Sequence, residues 1–202
     1  SLNGSTQYFY SVLVEDALPG QLVRARVAAV RKSLAEAALV EVLERSPDEQ
    51  EPPCPHAGRC GGCSWQSLAY GRQLAWKERI VHDALERVGK VACPPMLPIL
   101  PSPSEWGYRN KMEFAFGVSG DGGKALGLRE RGSRNIVGVT GCLLQRPLTM
   151  RVLEAVRMLS NGAFHDLDGR FLVVREPNAG GCFVELIVGA GGSLEAGERF
   201  AE

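Results

Sequence analysis

The 202-residue sequence has no run of about 18 apolar residues, so none of its segments is suited to cross a membrane as a helix. Cysteine is sparse for a disulfide scaffold, with six in the chain, which sets aside the small stapled secreted domains. Neither sign of charge is in excess: 23 Lys and Arg balance 23 Asp and Glu. That balance argues against a protein that grips nucleic acid through bulk positive charge alone. The start, Ser1-Leu2-Asn3-Gly4-Ser5-Thr6, lacks the basic and apolar regions of a secretory signal, so a cytoplasmic setting with no membrane partner is expected. It also lacks an initiating Met, and the chain reads as a piece of a longer protein. No repeat is present, and the composition excludes disordered, collagen-like and coiled-coil chains.

What charge there is lies unevenly. Residues 15–51 carry eight acids against five bases, and residues 54–90 six bases against three acids, which allows a local cationic face. Strand signals fall at Gln7–Val14 and Leu22–Val30, with Leu18-Pro19-Gly20 as the turn between them. Leu34–Arg45 is ambiguous: its Ala, Leu and Glu favour a helix, whereas Val40 and Val42 alternate as in a strand. Pro47, Pro52 and Pro53 break the chain. Leu74, Val81, Leu85 and Val88 make one stripe of a helix over 68–88, with Gly89 as its stop and a Pro-rich connector beyond. Met112, Phe114 and Phe116 share one strand face. Pro147 opens a helix striped by Leu148, Val152, Val156 and Leu159, and Phe171–Arg175 and Phe183–Val188 flank a turn. The expectation is an α+β protein, its hairpins arranged around two helices and a Cys-rich loop.

Chemistry concentrates in Cys54-x5-Cys60-x2-Cys63. Gly58, Gly61 and Gly62 let the backbone curl until three thiols converge, and amide N–H groups of such a loop stabilise bound sulfur. A fourth thiolate is available at Cys142, 79 residues beyond Cys63. An iron–sulfur cluster ranks first, because such sites group three Cys locally and take the fourth from afar. Zinc, which more often pairs two CxxC units, ranks second, and a disulfide or coincidence third. His56 is read as a neighbour that packs or hydrogen-bonds rather than as a ligand. Cys93 and Cys182 lack an activating His or Gly-rich elbow and read as structural.

The order Cys-x5-Cys-Gly-Gly-Cys, helix, Pro-rich connector, Tyr108-Arg109-Asn110-Lys111 and late Gly141-Cys142 resembles the RNA (uracil-5-)-methyltransferase family, in its iron–sulfur branch acting on ribosomal RNA. The resemblance implies an N-terminal OB-like β-barrel, the TRAM domain, over 1–50, with Leu34–Val42 as a barrel strand. It further implies a central iron–sulfur domain over 51–190, and a linker over 191–202 toward a methyltransferase domain. By position, Cys54, Cys60, Cys63 and Cys142 match the four [4Fe-4S] ligands, and Tyr108, Arg109 and Lys111 match the motif near which that family meets RNA. The implied partner is RNA, ribosomal before transfer RNA, bound by a monomer. S-adenosylmethionine belongs to the domain missing from this stretch. Gly120-x-Gly122-Gly123 lies between strand signals and reads as a hairpin turn, not a cofactor cradle, so the chain is not expected to be catalytic by itself. A non-enzymatic zinc-knuckle RNA-binding module is the alternative.

Overall fold

The structure is a computed structural model that describes residues 11–32, 34–92, 95–161 and 168–189. These fall into two compact units, Ser1–Glu51 with Ser64–Leu97 and Pro52–Cys63 with Pro98–Glu202. Cys93, residues 7–10 of the first strand signal and the linker over 191–202 lie outside the described residues. The class is mixed α and β, as the sequence implies.

The first unit is built on three strands, β1 (Ser11–Glu15), β2 (Leu22–Arg31) and β3 (Leu34–Glu44), in the order β1-β3-β2. β2 and β3 form an antiparallel hairpin that turns at Lys32, whose φ of 52° is left-handed. β1 adds to the far side of β3 in parallel. This corrects two expectations. The Leu18-Pro19-Gly20 turn does not close a hairpin, since β1 and β2 are not neighbours. The described residues also form an open sheet and no barrel, because β1 and β2 occupy opposite edges and never pair.

The ambiguous segment is a strand, as the family resemblance implies and local propensity alone does not. Ala35 and Ala37 are both buried while Glu36 is exposed, a two-residue period that a helix cannot satisfy. Pairing with β2 therefore overrides helix propensity here.

Helix α1 (Tyr70–Asp83) is held at its start by the polar segment before the cysteines. Ala69 N–H donates to the Asp48 carbonyl at 3.0 Å, and Arg72 Nε donates to Asp48 Oδ2 at 2.7 Å. Gln73 Nε2 donates to the carbonyls of Trp65 and Leu68, and Leu68 is fully buried. Arg79 stands over the half-buried Trp76 ring, 5.8 Å from its centroid. The anticipated apolar stripe does not form a core face: Val81 and Val88 are exposed, and no α1 side chain is buried. The helix end differs too. Ala84–Val88 widens into a π turn, closed by Gly89 N–H on the Ala84 carbonyl at 2.8 Å. Gly89 serves by size, since a Cβ there would stand 2.9 Å from the Leu85 carbonyl oxygen. The left-handed residue that ends the run is Lys90.

The second unit is a five-stranded antiparallel sheet ordered β6-β5-β4-β7-β8. Its strands are β4 (Lys111–Val118), β5 (Lys124–Arg129), β6 (Ile136–Val137), β7 (Gly169–Arg175) and β8 (Phe183–Val188), with helix α2 (Pro147–Asn161) entering after β6. Met112 and Phe114 on β4, Leu126 on β5, Val137 on β6 and Leu172 and Val174 on β7 form one core with Leu153 and Val156 of α2. The buried side of α2 is thus Thr149, Leu153 and Val156, turned about one residue from the anticipated stripe, and Leu159 is exposed. β5 and β6 approach so closely that a Cβ on Gly127 would overlap the Val137 carbonyl. The Gly120–Gly123 segment is the β4–β5 turn, with Ser119 N–H on the Gly123 carbonyl at 2.8 Å. It leads into a strand and offers no helix N-terminus to a phosphate.

Candidate metal centre

All four candidate cysteines belong to the second unit. The three-cysteine loop curls in two turns, Ala57 N–H on the Cys54 carbonyl at 3.0 Å and Cys60 N–H on the His56 carbonyl at 2.9 Å. Gly58 takes the left-handed conformation that this curl requires (φ 80°). The chain then runs antiparallel to the end of β5. Gly61 N–H donates to the Arg129 carbonyl at 3.0 Å and Arg131 N–H to the Arg59 carbonyl at 2.8 Å, with Cys60 opposite Glu130. The loop thereby extends the pairing beyond the end of β5, and Cys60 packs against the core.

Cys142 arrives from the other side. Val139, 1% exposed, anchors the segment after β6, and Arg157 Nη2 donates to its carbonyl at 2.9 Å. Beyond the cysteine, Gln145 N–H donates to the Cys142 carbonyl at 3.0 Å just before Pro147 starts α2. The two cysteine segments are joined by His56, whose Nε2 accepts the Thr140 N–H at 3.1 Å. The Nε2 lone pair is engaged in this bond.

Cys54, Cys60, Cys63 and Cys142 are all half-buried free thiols, none in a disulfide. Burial pushes the Cys60 thiol above its ordinary value, opposed by the Gly62 N–H, which lies 3.4 Å from its Sγ, and reinforced by charge on Cys63 and Cys54. Cys142 is raised in the same way, chiefly by burial and further by Cys63 and Cys54. Cys54 and Cys63 therefore lie within electrostatic reach of both partners. Such a set is costly to ionise without a cation and is well suited to one.

Among the described residues, no three His, Cys, Asp or Glu side chains close on one point as a single metal ion requires. Gln145, three residues beyond Cys142, is 5% exposed, yet neither its side-chain Oε1 nor its Nε2 has a hydrogen-bond partner. Buried amides rarely stay unpaired in a complete site.

The RNA-contact candidates sit beside this centre. Gly107 and Arg109 N–H groups donate to the carbonyls of Leu143 and Leu144, so the Tyr108–Arg109 backbone is bonded to the Cys142 segment. Tyr108 is 53% exposed, Arg109 half-buried and Lys111 exposed at the head of β4. Strand register then adds two residues that sequence reasoning missed. Lys111 stands opposite Arg175 on β7, and Arg175 opposite Phe183 on β8, giving one outward row with Phe183 61% exposed. Glu113 and Glu185 flank that row one step further along. Only pairing shows that Arg175 stands beside Phe183, with Lys111 one strand further on.

No protein-family model matches the chain. Similar curated proteins do exist. An uncharacterized RNA methyltransferase of Nitratidesulfovibrio vulgaris is 47% identical over 87% of this chain. The chain is homologous to part of an RNA methyltransferase. Uncharacterized RNA methyltransferases of Thermosynechococcus vestitus, 37% identical over 72% of the chain, and of Caldanaerobacter subterraneus subsp. tengcongensis, 48% identical over 59%, agree. The chain spans 40%, 32% and 26% of the length of these three methyltransferases, so it corresponds to a minority of each.

Proposed function

We propose that this stretch is the RNA-recognition and iron–sulfur portion of an S-adenosylmethionine-dependent RNA methyltransferase acting on C5 of uridine, ribosomal RNA being the substrate. The carrying observation is that the Thr140–His56 hydrogen bond ties the Cys142 segment to the three-cysteine loop, with Cys54 and Cys63 in electrostatic reach of both Cys60 and Cys142 and all four thiols free. Cys54, Cys60, Cys63 and Cys142 would hold a [4Fe-4S] cluster, which when bound supplies a cross-link between segments 79 residues apart and the positive charge that keeps buried thiolates ionised. The role is structural: it fixes the Tyr108–Lys111 segment, whose backbone is bonded to the Cys142 loop.

The RNA face consists of Tyr108, Arg109 and Lys111, extended by Arg175 and Phe183. Exposed aromatic rings beside cations suit unstacked bases and their phosphates, which is how single-stranded RNA is held by a protein without net positive charge. Methyl transfer is assigned to the larger part of the relatives that this chain does not span. The chain alone therefore binds RNA without methylating it, as a monomer in the cytoplasm.

The test is purification without oxygen, followed by iron, sulfide and zinc analysis and RNA titration. Brown protein carrying iron and sulfide, with RNA affinity that falls as salt rises, supports the reading. Colourless protein carrying one zinc indicates a zinc-knuckle module instead.

A further inference from the structure

We infer that His56 is a positioning residue for the cysteine centre: by accepting the Thr140 amide proton it holds the Cys142 segment against the three-cysteine loop, independently of any group bound there. The inference rests on the cluster reading for its consequence but on hydrogen bonding alone for its cause. His56 Nε2 lies 3.1 Å from Thr140 N and 3.3 Å from Thr140 Oγ1. The amide has a fixed proton and must donate, so the imidazole nitrogen must accept. The hydroxyl, which can rotate, is a secondary partner.

The position of this bond gives it leverage. His56 lies two residues after Cys54, and its own carbonyl accepts the Cys60 N–H, so ring and backbone together join three parts of the site. Thr140 lies two residues before Cys142 and directly after the buried Val139. With Val139 fixed in the core and Cys142 bonded onward to Gln145, the Thr140 amide is where the intervening chain is tied to the opposite loop. Losing that tie leaves the ligands intact but lets the Cys142 sulfur range over more positions. A centre that needs four sulfurs at once is then closed less often and opened more often.

Three variants separate this role from ligation and from general stability. His56→Ala removes the acceptor. His56→Gln places an amide oxygen near the Nε2 position and restores it. Thr140→Val deletes the hydroxyl and leaves the N–H. Each is prepared without oxygen, and two quantities are read: the rate at which the absorbance at about 400 nm decays on exposure to an iron chelator, and hydrogen exchange of the Thr140 amide in metal-free protein. One hydrogen bond of ordinary net strength corresponds to roughly threefold to tenfold faster decay and exchange in His56→Ala, with His56→Gln and Thr140→Val close to the parent. Unchanged Thr140 exchange in His56→Ala overturns the inference, as does failure of His56→Gln to restore either quantity. A parent protein that binds no iron overturns the cluster reading instead, and the exchange measurement still decides the role of His56.

Discussion

Arg131 reaches across the cysteine loop and donates a hydrogen bond from Nη2 to the Cys63 carbonyl oxygen at 2.5 Å. Its own backbone N–H pairs with the Arg59 carbonyl, so one residue at the end of β5 holds both flanks of the Cys60-Gly61-Gly62-Cys63 turn. Removal of this guanidinium, as in Arg131→Met, leaves the Cys63 carbonyl without its charged donor in a part-buried place. Bonds to charged groups contribute about 1.5–3 kcal/mol, and about 1–2 kcal/mol is expected here after relaxation. Thermal unfolding of the parent and the variant measures it. Arg131→Lys should recover only part, since a single ammonium does not reproduce the guanidinium fork.

Cysteine replacement separates ligands from bystanders. Cys142→Ser removes the distant sulfur and should cost the protein most of its bound iron, although Cys142 is remote in sequence from the loop. Cys182→Ser, at an exposed thiol before β8, should leave iron content unchanged. Iron and sulfide analysis of the two variants, prepared side by side, is the check; equal retention contradicts the ligand assignment.

Some of this was legible in the sequence, and the reasons are local. The Cys-x5-Cys-x2-Cys spacing with its glycines marks the loop, because few other chemistries ask for three thiols and a left-handed glycine in ten residues. The hairpin of β7 and β8 follows from alternation around a Gly-rich turn. Three things were not legible. β1 pairs with β3 rather than with β2, since strand order depends on contacts that no local pattern encodes. β6 is only two residues long, too short to show a period, although it leads directly to Val139 and the Cys142 segment. Arg131 and Thr140 carry no signal as single residues; they matter because folding brings them opposite the cysteine loop.

The RNA face makes a graded prediction. Lys111→Ala and Arg175→Ala should each reduce the salt dependence of RNA binding by about 0.7 in log–log slope, if each neutralises one phosphate of a single strand. Phe183→Ala should weaken binding by about 1–3 kcal/mol and leave the slope unchanged, because stacking releases no counterions. Glu113→Gln, one step along the same face, should weaken nothing. Fluorescence anisotropy across a salt series gives both quantities, and equal loss from Glu113→Gln and Lys111→Ala would remove the face from consideration.

Acid should loosen the first unit through Glu49. Its carboxyl is held below the ordinary carboxylate range, first by Gln21 Nε2 at 2.9 Å and further by Arg45, against an opposing effect of burial. A carboxyl with a depressed folded value stabilises the fold above its unfolded value of about 4.3 and loses that contribution as pH falls through the folded value. Unfolding midpoints followed from pH 6 downward, with tyrosine and tryptophan emission as the signal, should therefore fall less steeply in Gln21→Leu and Glu49→Gln than in the parent. Parallel curves for all three would contradict the assignment.

The most direct measurement is the metal and sulfide content of protein kept from oxygen throughout, taken together with the same analysis of Cys142→Ser. The account predicts about four iron and four acid-labile sulfide per chain with a broad band at about 400 nm, lost together when the distant sulfur is removed. Stoichiometric zinc without sulfide, or iron retained in full by Cys142→Ser, contradicts it.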